Sequence, residues 1–187
     1  MESKTQTIDR CPQFQNKRKI LQEIHIPGLD PFKVACHSKK DIGSGWIVVY
    51  QKYFYSSMFN RKYEEYATGF GDRENLVKDF FIGLEKLHHL MNGRPHELIA
   101  APFEGKCNNF VLGNQSEGYM VKNIGECTGN LQLGFTQGTK FSTFDRDEDG
   151  DPDHNWAQEK LVGWWFDSRN NGFFENRIIQ MMIRRQD

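Results

Sequence analysis

The chain has 187 residues, 37% of them hydrophobic and 13% aromatic, with 15 Phe, 17 Gly and a formal net charge of −1. That length suits one domain, and a near-neutral chain with a pI of about 6.6 carries no electrostatic footprint for nucleic acid. No apolar run reaches the roughly 20 residues a membrane-spanning helix needs, so no membrane span is expected.

Residues 1–10 are polar and read as a flexible lead-in. The opening Met1 to Gln6 has no apolar h-region, so either a leader is missing from this chain or the protein is not secreted by the usual route. Phe32 to Cys36 alternates like a strand, and Gly45 to Gln51 is β-branched and aromatic, a stronger strand signal. Asn60 to Tyr66 suits a short helix stopped by Gly69. Gly83 to Met91 sets Leu84, Leu87, Leu90 and Met91 on one helical face, ended by Asn92-Gly93. His96–Ala101, Asn109–Leu112 and Tyr119–Ile124 read as strands joined by Gly-rich turns. Thr139 to Phe144 alternates like a strand, and Arg177 to Arg184 closes the chain as one, with Ile179, Met181 and Ile183 on one side.

Four cysteines, Cys11, Cys36, Cys107 and Cys127, are widely spread and form no CxxC pair, which argues against a zinc ribbon. They allow three pairings, or four thiols in a reducing compartment. Asn114-Gln-Ser116 is a glycosylation sequon at a loop position.

The densest signal is the run Asp145-Arg-Asp-Glu-Asp-Gly-Asp-Pro-Asp153, six acids against one arginine. Carboxylates about 4 Å apart repel by ~4 kcal/mol near a protein surface, and a hard divalent ion removes that cost. The run matches the start of an EF-hand loop, but its twelfth position is Trp156 rather than Glu and no amphipathic helix precedes it. A calcium loop of another design is expected, rather than a magnesium site, since magnesium keeps its waters and favours phosphate partners. The bland alternative is a solvated acidic turn.

Several segments together resemble the fibrinogen C-terminal domain, the lectin-like module of ficolins, tenascins and angiopoietins, in the style of its insect members. They are Gly45-Trp46, Tyr63-Glu-Glu-Tyr-Ala-Thr-Gly-Phe-Gly-Asp72, Phe80-Phe-Ile-Gly-Leu-Glu-Lys-Leu-His-His-Leu90, Phe103-Glu-Gly105 and Phe110-Val-Leu-Gly-Asn114. Lys140-Phe-Ser-Thr-Phe-Asp-Arg-Asp147, Gly163-Trp-Trp-Phe166 and Asn171-Gly172 complete the series in the family's order. The resemblance implies an α+β fold over residues 11–187: a disulfide-closed part at 11–45, a central mixed or antiparallel sheet with short helices at 46–135, and a loop-rich lobe at 136–187. It implies a Cys11–Cys36 disulfide. It also implies a Ca2+ ion held by the side chains of Asp147 and Asp149 and mainly by the backbone carbonyls of Asp151 and Asp153. One extra residue between Asp145 and Asn155 shifts those carbonyl positions.

The departures are specific. The cysteines of the family's second disulfide are replaced by Trp156 and a residue near Arg169, and the Cys-His pair of the acetyl-sugar pocket falls at about Arg169-Asn170. Several dozen residues after Asn171-Gly172, including a pocket wall, are missing. Cys107 and Cys127 lie on the two strands of a hairpin instead, where a disulfide foreign to the family is expected. Trp164, Arg169 and Asn170 are the candidate ligand contacts, although a trio such as Trp164, Trp165 and Phe166 more often builds core. The resulting expectation is a non-enzymatic, secreted recognition domain with an eroded acetyl-sugar pocket, binding glycans or extracellular proteins, with innate immunity as the family setting. The alternatives are a structural domain without a ligand and, more remotely, a glycoside hydrolase with paired acids around a cleft.

Overall fold

A computed structural model describes residues 7–14, 16–53, 56–72, 74, 78–92, 94–101, 105–129, 134, 136–168 and 179–186. Its centre is a sheet of antiparallel strands: β1 Lys19–Ile24, β2 Phe32–Lys39, β3 Gly43–Lys52, β6 His96–Ala101, β7 Gly105–Leu112, β8 Val121–Asn123 and β10 Ile179–Arg185. They lie in the order β1-β2-β3-β10-β6-β7-β8. The short β4 (Phe70–Gly71) and β5 (Phe80–Phe81) extend β3, and β9 (Cys127–Thr128) pairs with β7. Among the described residues three α-helices complete the fold, α1 Tyr63–Thr68, α2 Leu84–Met91 and α3 Trp156–Lys160. The fold is α+β, with the last strand seated at the middle of the sheet between β3 and β6.

The side-chain pattern explains which face is buried. Val34 and Cys36 of β2, Ile47 and Val49 of β3, and Ile179, Met181 and Ile183 of β10 point into the main core beneath α1 and α2. Leu84, Leu87, Leu90 and Met91 supply the buried stripe of α2, as their spacing requires. Ala35, Trp46, Val48, Phe80 and Met182 form a smaller cluster of their own. The aromatic surplus sits in the main core. Tyr50, Phe59, Tyr66, Phe70, Phe81, Phe141 and the two tryptophans Trp164 and Trp165 form a continuous chain of edge and tilted ring contacts. Such pairs add about 0.5–1.5 kcal/mol each beyond area burial.

Two disulfides close loops at opposite ends of the sheet. Cys11–Cys36 ties the segment before β1 to β2, and Cys107–Cys127 joins directly opposed residues of β7 and β9. With sequence separations of 25 and 20, each contributes ~3 kcal/mol in the loop-entropy model.

The lead-in is less loose than its polarity suggests. Residues 1–6 lie outside the described residues, but Ile8 exchanges backbone hydrogen bonds with His25, and Asp9 accepts from Arg94 and Arg185. An ion-pair anchor and a single bridge leave no hydrophobic pattern, which is why the sequence reads as unstructured there. Thr139 to Phe144 likewise is no strand. It runs irregularly, with a reciprocal backbone pair between Ser142 and Trp164.

Two histidines are sealed without full hydrogen bonding. His37 is 3% exposed and His96 1%, and His37 Nδ1 and His96 Nε2 have no partner among the described residues. Burial first, then the charges of Arg18, Lys19 and Lys39, press the His37 imidazole down to about 4, and burial also lowers His96. A histidine whose folded value lies below its unfolded value of 6.5 favours the native state only while neutral. That stability is therefore full above about pH 6.5 and is lost as pH falls toward 4. A melting-temperature series from pH 7.5 to 4 should fall through this window, and His37→Gln should flatten the fall. An unchanged slope in the variant would remove His37 from this account.

Candidate recognition site

The acidic bend is built from the backbone outward. Phe141, Ser142 and Thr143 are buried, and Thr143 and Arg146 exchange backbone hydrogen bonds across Phe144-Asp145. Asp145 turns inward: its Oδ1 accepts from the Tyr63 backbone N–H at 2.9 Å, at the start of α1, and from Thr143 Oγ1 at 2.8 Å. The first acid of the run is therefore a structural clamp. Glu148 is also occupied. Lys140 Nζ at 3.0 Å and Arg146 Nε and Nη2 at 3.3 and 3.2 Å donate to it, holding its carboxyl below the ordinary range, Lys140 most.

The next aspartates repeat one motif. The N–H of Asp149 donates to Asp147 Oδ1 at 3.3 Å, that of Asp151 to Asp149 Oδ1 at 2.8 Å, and that of Asp153 to Asp151 Oδ1 at 3.1 Å. Each is an Asx turn, the local bond that lets aspartate compete with regular structure. Gly150, at φ 77°, supplies the left-handed step in this staircase. Alternate aspartates thereby coil the chain instead of extending it.

Trp156, the first residue of α3, pins the staircase from the other side. Its backbone N–H donates to Asp149 Oδ2 at 3.0 Å and its indole Nε1–H to Asp151 Oδ2 at 3.3 Å. His154 stacks on the same indole, with ring centroids 4.5 Å apart. The Asn155 side chain caps α3, accepting from the Gln158 N–H at 2.8 Å. A residue standing where the resemblance expects a cysteine thus holds the loop by packing and two hydrogen bonds.

Asp147 and Asp149 remain as adjacent carboxylates. Asp149 is 6% exposed, and among the described residues neither carboxylate pairs with a lysine or arginine. Desolvation, followed by the negative charge of Asp149 and Asp151, raises the Asp147 carboxyl above its ordinary value. Among the described residues no three acidic, imidazole or thiol side chains converge as a metal-holding group. Any ion here would need backbone carbonyls beside these two carboxylates. The Asp151 carboxylate is committed to Trp156, and Asp153 is exposed.

A depression of about 610 Å³ opens beside the bend, lined by Thr139, Lys140, Asp147, Asp149, Phe166 and Asp167 among others. Asp167, 7% exposed, accepts from Thr136 Oγ1 at 3.0 Å. Trp164, a candidate ligand contact on sequence grounds, does not reach this surface. It is 1% exposed, edge-on to Tyr50 at 5.2 Å, so its ring has no free face to stack on a sugar. Trp165 is equally buried and donates to the Tyr119 carbonyl at 2.8 Å. Arg169 and Asn170 lie outside the described residues. Asn114 is exposed, and its Oδ1 caps the short turn Gln115–Glu117. Sequence reasoning missed Asp167 and the diversion of Asp145. A buried acid directly after a Trp-Trp-Phe core segment was the available signal for the former.

The family model described as fibrinogen beta and gamma chains, C-terminal globular domain, matches residues 16–181. The chain is 33% identical over 147 residues to mouse angiopoietin-4, covering 74% of this chain and 28% of that protein. It is 30% identical over 185 residues to human fibrinogen-like protein 1, covering 88% of this chain and 59% of that protein. It therefore spans less than two thirds of either relative. Among solved structures, lamprey fibrin D-dimer complexed with the peptide Gly-His-Arg-Pro-amide superposes with a TM-score of 0.73 at 21% identity, over 90% of this chain and 70% of that one.

Proposed function

Because the chain belongs to the family of fibrinogen C-terminal globular domains, we propose that it is an extracellular recognition domain whose acidic bend is set by Ca2+ and whose partners are glycans or extracellular proteins. Domains of this family are non-enzymatic recognition or structural modules, and this chain is one of them. The observation that supports the calcium reading is the uncompensated pair Asp147 and Asp149, hard oxygen donors with no cation of the protein beside them among the described residues. Their side chains would hold the ion together with the carbonyls of Asp151 and Asp153. The charge it supplies would neutralise the bend and hold the staircase against Trp156.

Calcium at 100 times its Kd should stabilise the fold by about 2.7 kcal/mol, a rise of ~5–10 °C in Tm for a domain of this size. EDTA should reverse the rise, and Asp147→Asn with Asp149→Asn should abolish it. An equal melting temperature with and without calcium in the wild type would leave a structural domain that folds without the ion.

Between the two partner classes, the acidic lining of the depression favours protein or peptide ligands bearing positive charge over neutral sugars. Among the described lining residues Asp147, Glu148 and Asp149 are acidic, and the lysine beside them, Lys140, is paired with Glu148. The buried Trp164 removes one sugar-stacking surface. Titration with N-acetylated sugars and with short basic peptides, each with calcium and with EDTA, separates the two. Attachment of a glycan at Asn114 would use its Nδ2 and leave the capping Oδ1 in place.

A further inference from the structure

Among the described residues β1 ends the sheet, with β2 on one side and no strand on the other. Two sets of backbone bonds fix which of its groups face outward. The Ser38 N–H donates to the Arg18 carbonyl at 2.8 Å, so the even-numbered residues here turn their main chain toward β2. Just past the strand, His25 exchanges hydrogen bonds of 2.8 and 2.9 Å with Ile8 on the opposite side. The odd-numbered residues therefore present their main chain to the outer edge, Leu21 and Glu23 among them. The segment after Ile8 does not follow that edge, because Cys11 is buried and bonded to Cys36 of β2.

Side chains alternate with the same period of two. Ile20 and Ile24 pack on the main core, while Lys19, Leu21 and Glu23 take the other face. Leu21 is 42% exposed, a large apolar side chain on an edge strand, and the Glu23 side chain is 53% exposed. β1 contains no proline and keeps an unbroken register with β2. It thus lacks two of the devices that keep an edge single.

Charges on an edge ordinarily repel a second strand, but here their order makes the strand complementary to itself. With a copy laid antiparallel about a two-fold axis at Leu21, that residue meets the partner's Leu21. Lys19 meets the partner's Glu23, and Glu23 the partner's Lys19, so one leucine contact is flanked by two opposite-charge pairs. An axis at Glu23 would instead set carboxylate against carboxylate. An axis at Gln22 would bring Lys19 against His25, whose edge Ile8 already occupies. The pairing does not ask the charged groups to be idle within their own subunit. Glu23 meets His25 at 2.8 Å and its carbonyl accepts from the Gln22 side chain at 2.9 Å, exposed contacts that exchange for others at little cost. We propose that this edge is a homodimer interface, in which two copies pair β1 with β1 antiparallel about Leu21 and join their sheets.

Sedimentation equilibrium with EDTA present tests this, so that calcium plays no part and the failure of one reading leaves the other untouched. The contact is smaller than a standard protein interface, and association should be correspondingly weak. The mean mass should rise from 21.9 kDa at about 1 μM toward twice that value at about 1 mM. Lys19→Glu alone and Glu23→Lys alone should each weaken dimerisation by at least about tenfold, since each sets like charges together twice. An equimolar mixture of the two variants should recover the dimer, because every charged pair across the axis then has opposite signs. Leu21→Asp should weaken it as strongly, and a melting curve for each variant checks that it folds. The proposal is overturned if the wild type stays monomeric up to about 1 mM, if the single variants dimerise like the wild type, or if the mixture stays monomeric.

Discussion

A chain stopped before Ile179 should not fold. β10 is hydrogen-bonded to β3 on one side and to β6 on the other, so its removal divides the sheet into β1-β2-β3 and β6-β7-β8 and bares a new edge on each half. It also removes Ile179, Met181, Met182 and Ile183, none more than 2% exposed. At roughly 1.5–3 kcal/mol for each fully buried side chain, the loss is about 6–12 kcal/mol, comparable to the whole stability of a typical domain. The truncated chain should be insoluble or show a disordered far-ultraviolet circular dichroism spectrum with no thermal transition. A cooperative melt from that chain would mean that the two half-sheets are independent units.

Gly69→Ala and Gly83→Ala should each destabilise by ~3 kcal/mol or more. The two glycines meet backbone to backbone at the junction of α1 and α2. A Cβ on Gly69, at φ +92°, would lie 2.4 Å from the Ile82 carbonyl oxygen and 2.9 Å from the Gly83 nitrogen. A Cβ on Gly83, at φ +104°, would lie 2.7 Å from the Thr68 carbonyl. Both substitutions combine a backbone conformation that L side chains rarely adopt with a clash against main chain that cannot rotate away. Because they disturb the same junction, the double variant should cost less than the sum of the singles. Urea denaturation of the three variants checks this, and a loss below about 1 kcal/mol for Gly69→Ala would show that the helices separate easily.

Gly69 also shows how the sequence conveys less than the fold uses. As a helix stop it was legible, since it follows the last turn of α1. Its close packing on Gly83 was not, because nothing local records which residue lies across. β2, β3, α2 and β6 were readable for the converse reason: each carries its signal within its own length, a period in β2, α2 and β6 and a continuously buried β-branched and aromatic run in β3. β1 was not, because Lys19–Ile24 is an edge strand whose residues are mostly half-buried or exposed, and its mate is chosen by pairing. β4, β5 and β9 are two residues each, too short to show alternation. In the site, the charge of the acidic bend was plain, and so was its preference for turns. The division of labour was hidden. Asp145 is taken by Tyr63, a residue 82 positions earlier, and Asp151 by the indole of Trp156. The alternation of Thr139 to Phe144 misled because three consecutive residues, Phe141 to Thr143, are buried there through contact with the tryptophan segment rather than by sheet periodicity.

The seat of β10 has a bearing on biosynthesis. A ribosome delivers β3 and β6 well over a hundred and about eighty residues, respectively, before the strand that must lie between them. Until then their facing edges and the apolar side chains meant for β10 are open to other nascent chains. The domain therefore completes its topology in one late insertion, and its yield should depend on chaperone capacity during that interval more than on the stability of the finished molecule.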